Sequence, residues 1–354
     1  MKHQTTRYGE VPFYKIGTFG NTADAFISKK LFLEYKTKYS FPKKGDILIS
    51  ASGTIGRAVI YDGKPAYFQD SNIVWIDNDE TLVKNDFLFY AYSNVKWNTE
   101  YTTILRLYND NFRNTLIPLP PLNEQNAIAN ILSDLDRYLC ALRALILKKE
   151  GVKKALSFEL LSQRKRLRGF NQAWQRVRLG DITNYLTSNL SVEQITQQGK
   201  IKVYDVNNFI GYTDTTFISD KPYISIVKDG SVGRVRILPP KTNILSTMGA
   251  LIANHKTTTE FLFYLLSNFD FKNFTSGSII PHIYFKDYKE KTIFLPSLNE
   301  QSAIANILST LDNEIASLKN KKRQFENIKK ALNHDLMSAK IMVLENKFYN
   351  KNKT

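Results

Sequence analysis

Ile117–Ser162, IPLPPLNEQNAIANILSDLDRYLCALRALILKKEGVKKALSFELLS, is restated 176 residues later as Ile293–Ser338, IFLPSLNEQSAIANILSTLDNEIASLKNKKRQFENIKKALNHDLMS, with 24 identities in 46 ungapped positions. A period this long lies far outside the roughly 20 to 50 residues of a solenoid unit. It describes a duplicated module, in which a variable globular segment is followed by one long helix. Within the globular parts the echo is fainter. Ile49–Arg57 (ISASGTIGR) answers Ile226–Arg234 (IVKDGSVGR), and Phe87–Tyr90 (FLFY) answers Phe261–Tyr264 (FLFY). One scaffold therefore carries two different surfaces.

The helices are bounded by proline. Pro118-Leu119-Pro120-Pro121 and Leu295-Pro296 bar helix just before each long helix. Asn123 and Asn299 are placed to cap the two helices, and Glu124 and Glu300 bring negative charge to the first turn. Apolar residues recur at 128, 131/132, 135, 138/139, 142, 145/146, 152 and 156, and the second copy repeats them from Ile304 through Ile328, Leu332 and Leu336. This is a heptad-like seam. Asn123–Ser162 unbroken would span about 60 Å at 1.5 Å per residue, and a lone helix of that length cannot bury its stripe. Antiparallel pairing of the two helices, with pseudo-two-fold symmetry, solves the problem. The plainer reading, each helix packed only on its own domain, does not explain matched lengths.

The expected fold class is α+β: two mixed α/β domains joined by two long helices forming an antiparallel coiled coil. The expected division is 1–121 for the first domain, 122–171 for the first long helix and a basic linker, 172–297 for the second domain, 298–345 for the second long helix and 346–354 for a tail. In the first domain Asp46–Ser50, Ala58–Tyr61 and Asn72–Ile76 read as short strands and Phe87–Ser93 as a short helix.

A length of 354 residues accommodates two cores. Lys and Arg number 49 against 33 Asp and Glu, leaving +16, and aromatic residues make up 12%. That balance favours a polyanionic partner. The one cysteine, Cys140, excludes an internal disulfide and reads as a small packed side chain; the four histidines have no metal-ligand spacing. No apolar run approaches the roughly 18 residues of a membrane span, so the expected location is the cytoplasm. The run Arg164-Lys165-Arg166-Leu167-Arg168 reads either as a solvated face or as a phosphate contact.

The doubled IPLPPLNEQ/IFLPSLNEQ motif opening a long helix, GDILISASGTIGR with its partner ISIVKDGSVGR, FQDSNIVWI, and RGFNQAWQRVRLGDI resemble the specificity (S, HsdS) subunits of type I restriction-modification systems over nearly the whole chain. The resemblance implies two target recognition domains, each reading half of a bipartite site on double-stranded DNA, with the helices setting the spacing. It implies two methyltransferase subunits and restriction subunits as partners, and no active site, membrane contact or cofactor of the chain's own. S-adenosylmethionine, ATP and Mg would be bound by the partner subunits. The motifs agree. Pro120-Pro121 and Pro239-Pro240 lie in no base-holding loop of an adenine methyltransferase, no phosphate loop is present, and Glu34-Tyr35-Lys36 and Glu345-Asn346-Lys347 are isolated nuclease-like matches.

Candidate DNA contacts fall into two groups. Ser52, Thr54 and Arg57, with Lys228, Ser231 and Arg234, lie in turns shared by both halves, so Arg57 and Arg234 are expected to bind phosphate or buttress the turn. Base reading is expected from unshared stretches: Gln69, Ser71 and Asn72; Arg106, Asn109 and Asn111; Ser276, Ser278, His282 and Tyr284. Lys43, Lys44 and Lys286 are expected phosphate anchors.

The two halves differ at their starts. Twenty-five residues run from Trp174 to the Gly199 that aligns with Gly9, whereas 8 precede Gly9. The first domain is therefore expected to be shortened, lacking a counterpart of WQRVRLGDI unless the tail Lys340–Thr354 completes it. A silent or truncated specificity cassette, the remnant of a fused restriction-methylation enzyme, and a structural protein that binds anionic membranes are the competing readings. The narrow helix seam and turn-rich domains disfavour the last.

Overall fold

The computed structural model describes residues 4–68, 72–95, 97 and 106–338. In chain order the first elements are β1 (Val11–Tyr14), β2 (Ala25–Ile27), α1 (Lys29–Lys38), β3 (Ile47–Ser50), β4 (Ala58–Ile60), β5 (Tyr67–Phe68) and β6 (Ile73–Ile76). Helices α2 (Asn85–Tyr92), α3 (Asn109–Arg113) and the 40-residue α4 (Leu122–Leu161) come after them. Next come β7 (Gln175–Arg178), β8 (Thr183–Thr187), β9 (Ile201–Tyr204), β10 (Phe209–Thr213), β11 (Tyr223–Val227), β12 (Val235–Leu238), β13 (Thr242–Ile244) and β14 (Met248–Ala253). The chain then forms α5 (Thr259–Ser267), β15 (Thr275–Ser276), β16 (His282–Ile283), α6 (Phe285–Tyr288), β17 (Thr292–Leu295) and the 40-residue α7 (Leu298–Met337).

Two compact units result, Met1–Arg143 with Asn320–Thr354, and Ala144–Lys319. Each long helix thus contributes to both. In the first unit β1 pairs antiparallel with β2 and parallel with β5, and β3 lies between β4 and β6. The second unit repeats both sheets: β9 pairs antiparallel with β10 and parallel with β13, and β11 lies between β12 and β14. It also has two strands without equivalents among the described residues of the first. Strand β8 extends the second sheet by pairing with β14, and β7 pairs with β17.

Within each unit the long helices run antiparallel. In the first, Tyr138 and Phe325 meet with ring centroids 4.7 Å apart and Arg143 reaches Glu326 at 3.0 Å. In the second, Lys149 reaches Glu314 at 2.8 Å and Lys319 reaches Glu150 at 2.6 Å. The short helix of each domain packs on this pair. Phe87, Tyr90 and Ala91 of α2 are buried on Ile128, Ala129, Leu132, Leu336 and Met337, and Phe261 and Tyr264 of α5 on Ile304, Ala305, Leu308 and Leu160. Each large apolar side chain among them contributes about 2–3 kcal/mol by leaving water.

Four expectations need correcting. Asn123 and Asn299 lie inside the first helical turn, which begins at Leu122 and Leu298; Gln125 N–H and Gln301 N–H bond instead to the carbonyls of Pro121 and Ser297. Cys140 is exposed, because the apolar stripe of α4 passes through Leu139 and Leu142 and leaves position 140 outside. The stripe is also narrower than its spacing suggests: Ile131, Leu145 and Val152 remain partly exposed. Arg166 is not a solvated cation, being paired with the buried Glu300 at 2.8 Å.

Candidate nucleic-acid interface

Both units build the same turn after their central strand. In the first, Gly56 N–H bonds to the Ser50 carbonyl at 3.0 Å, Arg57 N–H to Ser50 Oγ at 2.9 Å, and the Ser50 hydroxyl to the Thr54 carbonyl. In the second, Gly233 N–H bonds to the Val227 carbonyl at 2.9 Å and Val227 N–H to the Arg234 carbonyl at 2.9 Å. The turn needs left-handed backbone at its glycines, with φ of +68° and +78° at Gly53 and Gly56 and +83° and +79° at Gly230 and Gly233. Gly56 additionally lies against the Trp97 indole and Gly233 against the Phe271 ring, leaving no room for a Cβ.

This turn brings distant residues together. Ser52 forms an isolated antiparallel bridge with Arg106, and Asp229, its counterpart, forms one with His282. The backbone arrangement is common to both, Leu107 N–H bonding to Ala51 O at 2.8 Å and Ile283 N–H to Lys228 O at 2.9 Å. The side chains are not. Ser52 donates to Asn72 Oδ1 at 2.7 Å and the Arg106 guanidinium approaches the same oxygen at 3.4 Å. In the second unit His282 Nδ1 lies 2.6 Å from Asp229 Oδ1. Two copies of one bridge thus present an amide, hydroxyl and guanidinium set in one case and a carboxylate and imidazole in the other.

Around the second bridge lies an exposed hairpin, β15 and β16, in which Ser276 pairs with His282 and the tip carries Ser278 and Ile279, the last 92% exposed. Tyr284 is half exposed, stacks on His282 at 6.5 Å between centroids, and has Lys286 Nζ 5.5 Å from its ring. Tyr185 stacks on the neighbouring Phe285 at 4.5 Å, its phenol pushed up by burial and, to a lesser extent, by the Asp229 charge. The counterpart hairpin of the first unit, and Gln69 and Ser71, lie outside the described residues.

The remaining candidates are dispersed. Arg57 donates to the Phe19 carbonyl at 2.9 Å and Arg234 to Asn207 Oδ1 at 2.8 Å, so both guanidiniums brace the fold. Lys43 is exposed and 3.2 Å from Asp77, while Lys44 packs beside Gly63. Thr54 and Ser231 are exposed on the turn, Lys228 is partly buried beside it, and Asn109 is exposed at the start of α3. Asn111 Oδ1 accepts from Tyr108 N–H at 2.7 Å and so caps that helix. Sequence reasoning missed Asp229, although its place opposite Ser52 in the aligned turns carried the signal. It also missed Gln125 and Gln301. Each buried carboxamide ties the helix start to its own domain: Gln125 bonds Lys84 N–H, Leu82 O and Pro120 O, and Gln301 bonds Thr258 N–H, Lys256 O and Pro296 O, all within 2.8–3.0 Å. Among the described residues no helix is long and apolar enough to cross a membrane.

A family profile described as the type I restriction modification DNA specificity domain matches residues 1–149 and again 171–327. Over 337 residues the chain is 29% identical to the type I restriction enzyme MjaX specificity subunit of Methanocaldococcus jannaschii, covering 84% of this chain and 79% of that protein. It is 62% identical over 137 residues to the type I restriction enzyme specificity subunit S.HindORF215P of Haemophilus influenzae; that match takes in 38% of this chain and 36% of the relative. Among solved structures, the type I restriction-modification S subunit from M. genitalium superposes with a TM-score of 0.65 at 21% identity, covering 95% of this chain and 91% of that one, a likeness of fold.

Proposed function

The chain belongs to the family of type I restriction modification DNA specificity domains, and from that premise we propose that it is the non-catalytic subunit that reads a bipartite DNA target and positions two adenine-N6 methyltransferase subunits and the restriction subunits on it. S-adenosylmethionine, ATP and Mg are bound by those partners, and the whole assembly works in the cytoplasm.

The observation that carries this reading is the duplicated bridge with unlike side chains. A guanidinium and an amide, as at Arg106 and Asn72, suit guanine and adenine edges in the major groove, while a carboxylate and an imidazole, as at Asp229 and His282, suit a different base pattern. Well-placed bidentate contacts discriminate by about 1–3 kcal/mol per base. The +16 charge supplies the sequence-independent attraction. Selection of bound duplexes from a randomised pool by the chain with its methyltransferase tests the reading. Enrichment of two short motifs at fixed separation, with affinity falling steeply in salt, is the expected outcome. Recovery of unenriched DNA would count against it.

Among the described residues the first unit has no counterparts of β7 and β8, which favours one second reading, a silent specificity cassette in which only the second unit reads DNA. It predicts a selected motif with a single half.

A further inference from the structure

One pair of positions differs in kind between the two units. Ser225 pairs with Arg236 across β11 and β12, where the first unit pairs Leu48 with Val59 across β3 and β4. Leu48 and Val59 line a cleft between the two sheets of their unit, together with Tyr14 and Phe19. In the second unit Ser225 and Arg236 line the corresponding cleft with Val206, Asn207, Arg234 and Met248, around a cavity of about 230 Å³.

The polar lining is short of partners. Ser225 is 1% exposed, and its hydroxyl has one bond, to the Arg236 carbonyl at 3.3 Å. Arg234 and Arg236 are each tied to Asn207 by a single hydrogen bond, to Oδ1 at 2.8 Å and to the carbonyl at 2.9 Å. Arg236 also lies over the Tyr204 ring, 5.3 Å from its centroid. Among the described residues neither guanidinium has a carboxylate partner. Asp205 accepts instead from the amides of Asn207 and Asn208, at 2.7 and 2.6 Å. Most of the N–H donors of each fork therefore have no protein acceptor. Two uncompensated cations beside a buried hydroxyl are costly to the fold alone. They match a tetrahedral anion, which takes bidentate bonds from guanidinium groups. The cavity is smaller than the roughly 300–1,000 Å³ of pockets that enclose whole small molecules, so it suits a phosphate group and not an entire nucleoside.

We propose that Arg234, Arg236, Asn207 and Ser225 form a phosphate-binding site in the second unit. In the first unit Leu48 and Val59 stand in place of two of these four groups. The phosphate belongs either to a DNA strand or to free phosphate or nucleotide, and the site stands whether or not the chain reads DNA. On the DNA reading, a strand phosphate held here fixes the turn that carries Asp229, and with it the approach of the Asp229–His282 bridge to base edges.

Inorganic phosphate titrated into the 15N-labelled full chain, read at the guanidinium Nε–H resonances of Arg234 and Arg236, tests the site. Both should shift together and saturate, and sodium acetate at matched ionic strength should move neither. Arg236→Gln should raise the phosphate concentration for half-saturation at Arg234 about tenfold, the scale of one lost charge-assisted hydrogen bond. Ser225→Leu with Arg236→Val, which copies the lining of the first unit, should keep the backbone amide spectrum and lose the response. Binding of a fluorescein-labelled random-sequence duplex across a salt series separates the two sources. For a strand phosphate, Arg236→Gln lowers the slope of log affinity against log salt by about 1; an unchanged slope beside an intact phosphate response assigns the site to free phosphate or nucleotide. A wild-type chain that binds no duplex would sink the DNA reading, while the phosphate titration still decides the site. No shift at either arginine, equal shifts with acetate, or an Arg236→Gln chain that responds like the wild type would overturn the proposal.

Discussion

Lys329 Nζ lies 2.6 Å from Asp136 Oδ1, joining the two long helices in the first unit, and Tyr90 donates to the second oxygen of the same carboxylate at 2.9 Å. The second unit has the same triad at repeat-related positions: Lys153 pairs with Asp312 at 2.5 Å and Tyr264 donates to Asp312 at 2.9 Å. In each, the lysine ammonium also sits over the tyrosine ring, at 5.4 and 5.8 Å. Each aspartate therefore gathers its own domain, its own helix and the opposing helix at one point, which holds the register of the antiparallel pair.

Asp136→Asn and Lys329→Met should each lower stability by about 1 kcal/mol, because the pair is partly exposed and screened. In a double-mutant cycle by urea unfolding the two should couple by about 0.5–1 kcal/mol, weakening in high salt. Additive effects would show that the contact carries no energy.

The two glutamates that open the long helices should behave oppositely. Glu300→Ala leaves Arg166 and Trp174 without their buried acceptor and should cost about 3 kcal/mol. Glu124→Ala in the isolated chain should stay within about 0.5 kcal/mol. Thermal unfolding of both variants makes the comparison.

Gly233→Ala should destabilise far more than Gly230→Ala. Both glycines have positive φ, but a Cβ at 233 would fall 2.6 Å from Phe271 Cδ2, whereas position 230 is open. About 1 kcal/mol is expected at 230 from backbone strain alone, and more than about 2 kcal/mol at 233. Equal losses would mean that the aromatic packing is dispensable.

Much of this could be read before the structure, for a physical reason. Helix length and pairing follow from periodic burial, a local property, and β3, β4 and β6 fell within one residue of their expected spans because short β-branched runs end at glycine and aspartate. What escaped were contacts closing long loops. Nothing local marks Asp229 as the partner of His282, 53 residues away, or Gln125 as the anchor for the Lys84 amide. Asn123 misled because a capping residue one position inside a helix looks the same in sequence as one at its boundary.

Stability should be level through neutral pH and decline in strong alkali. Burial pushes the phenols of Tyr92 and Tyr223 up to about 12, from an ordinary value of 10.0. Because the folded value is raised, the protonated phenols stabilise fully below about pH 10, and this contribution is lost as pH rises toward about 12. Melting temperature against pH should fall across that window, and Tyr92→Phe with Tyr223→Phe should flatten the fall.

The most direct measurement maps N6-methyladenine by long-read sequencing in cells co-expressing the methyltransferase subunit with the wild-type chain, Arg106→Ala or His282→Ala. A two-part motif is expected, in which Arg106→Ala relaxes bases in one part only and His282→Ala relaxes bases in the other only. Both variants altering the same part, or neither altering the motif, would contradict a division of base reading between the two units.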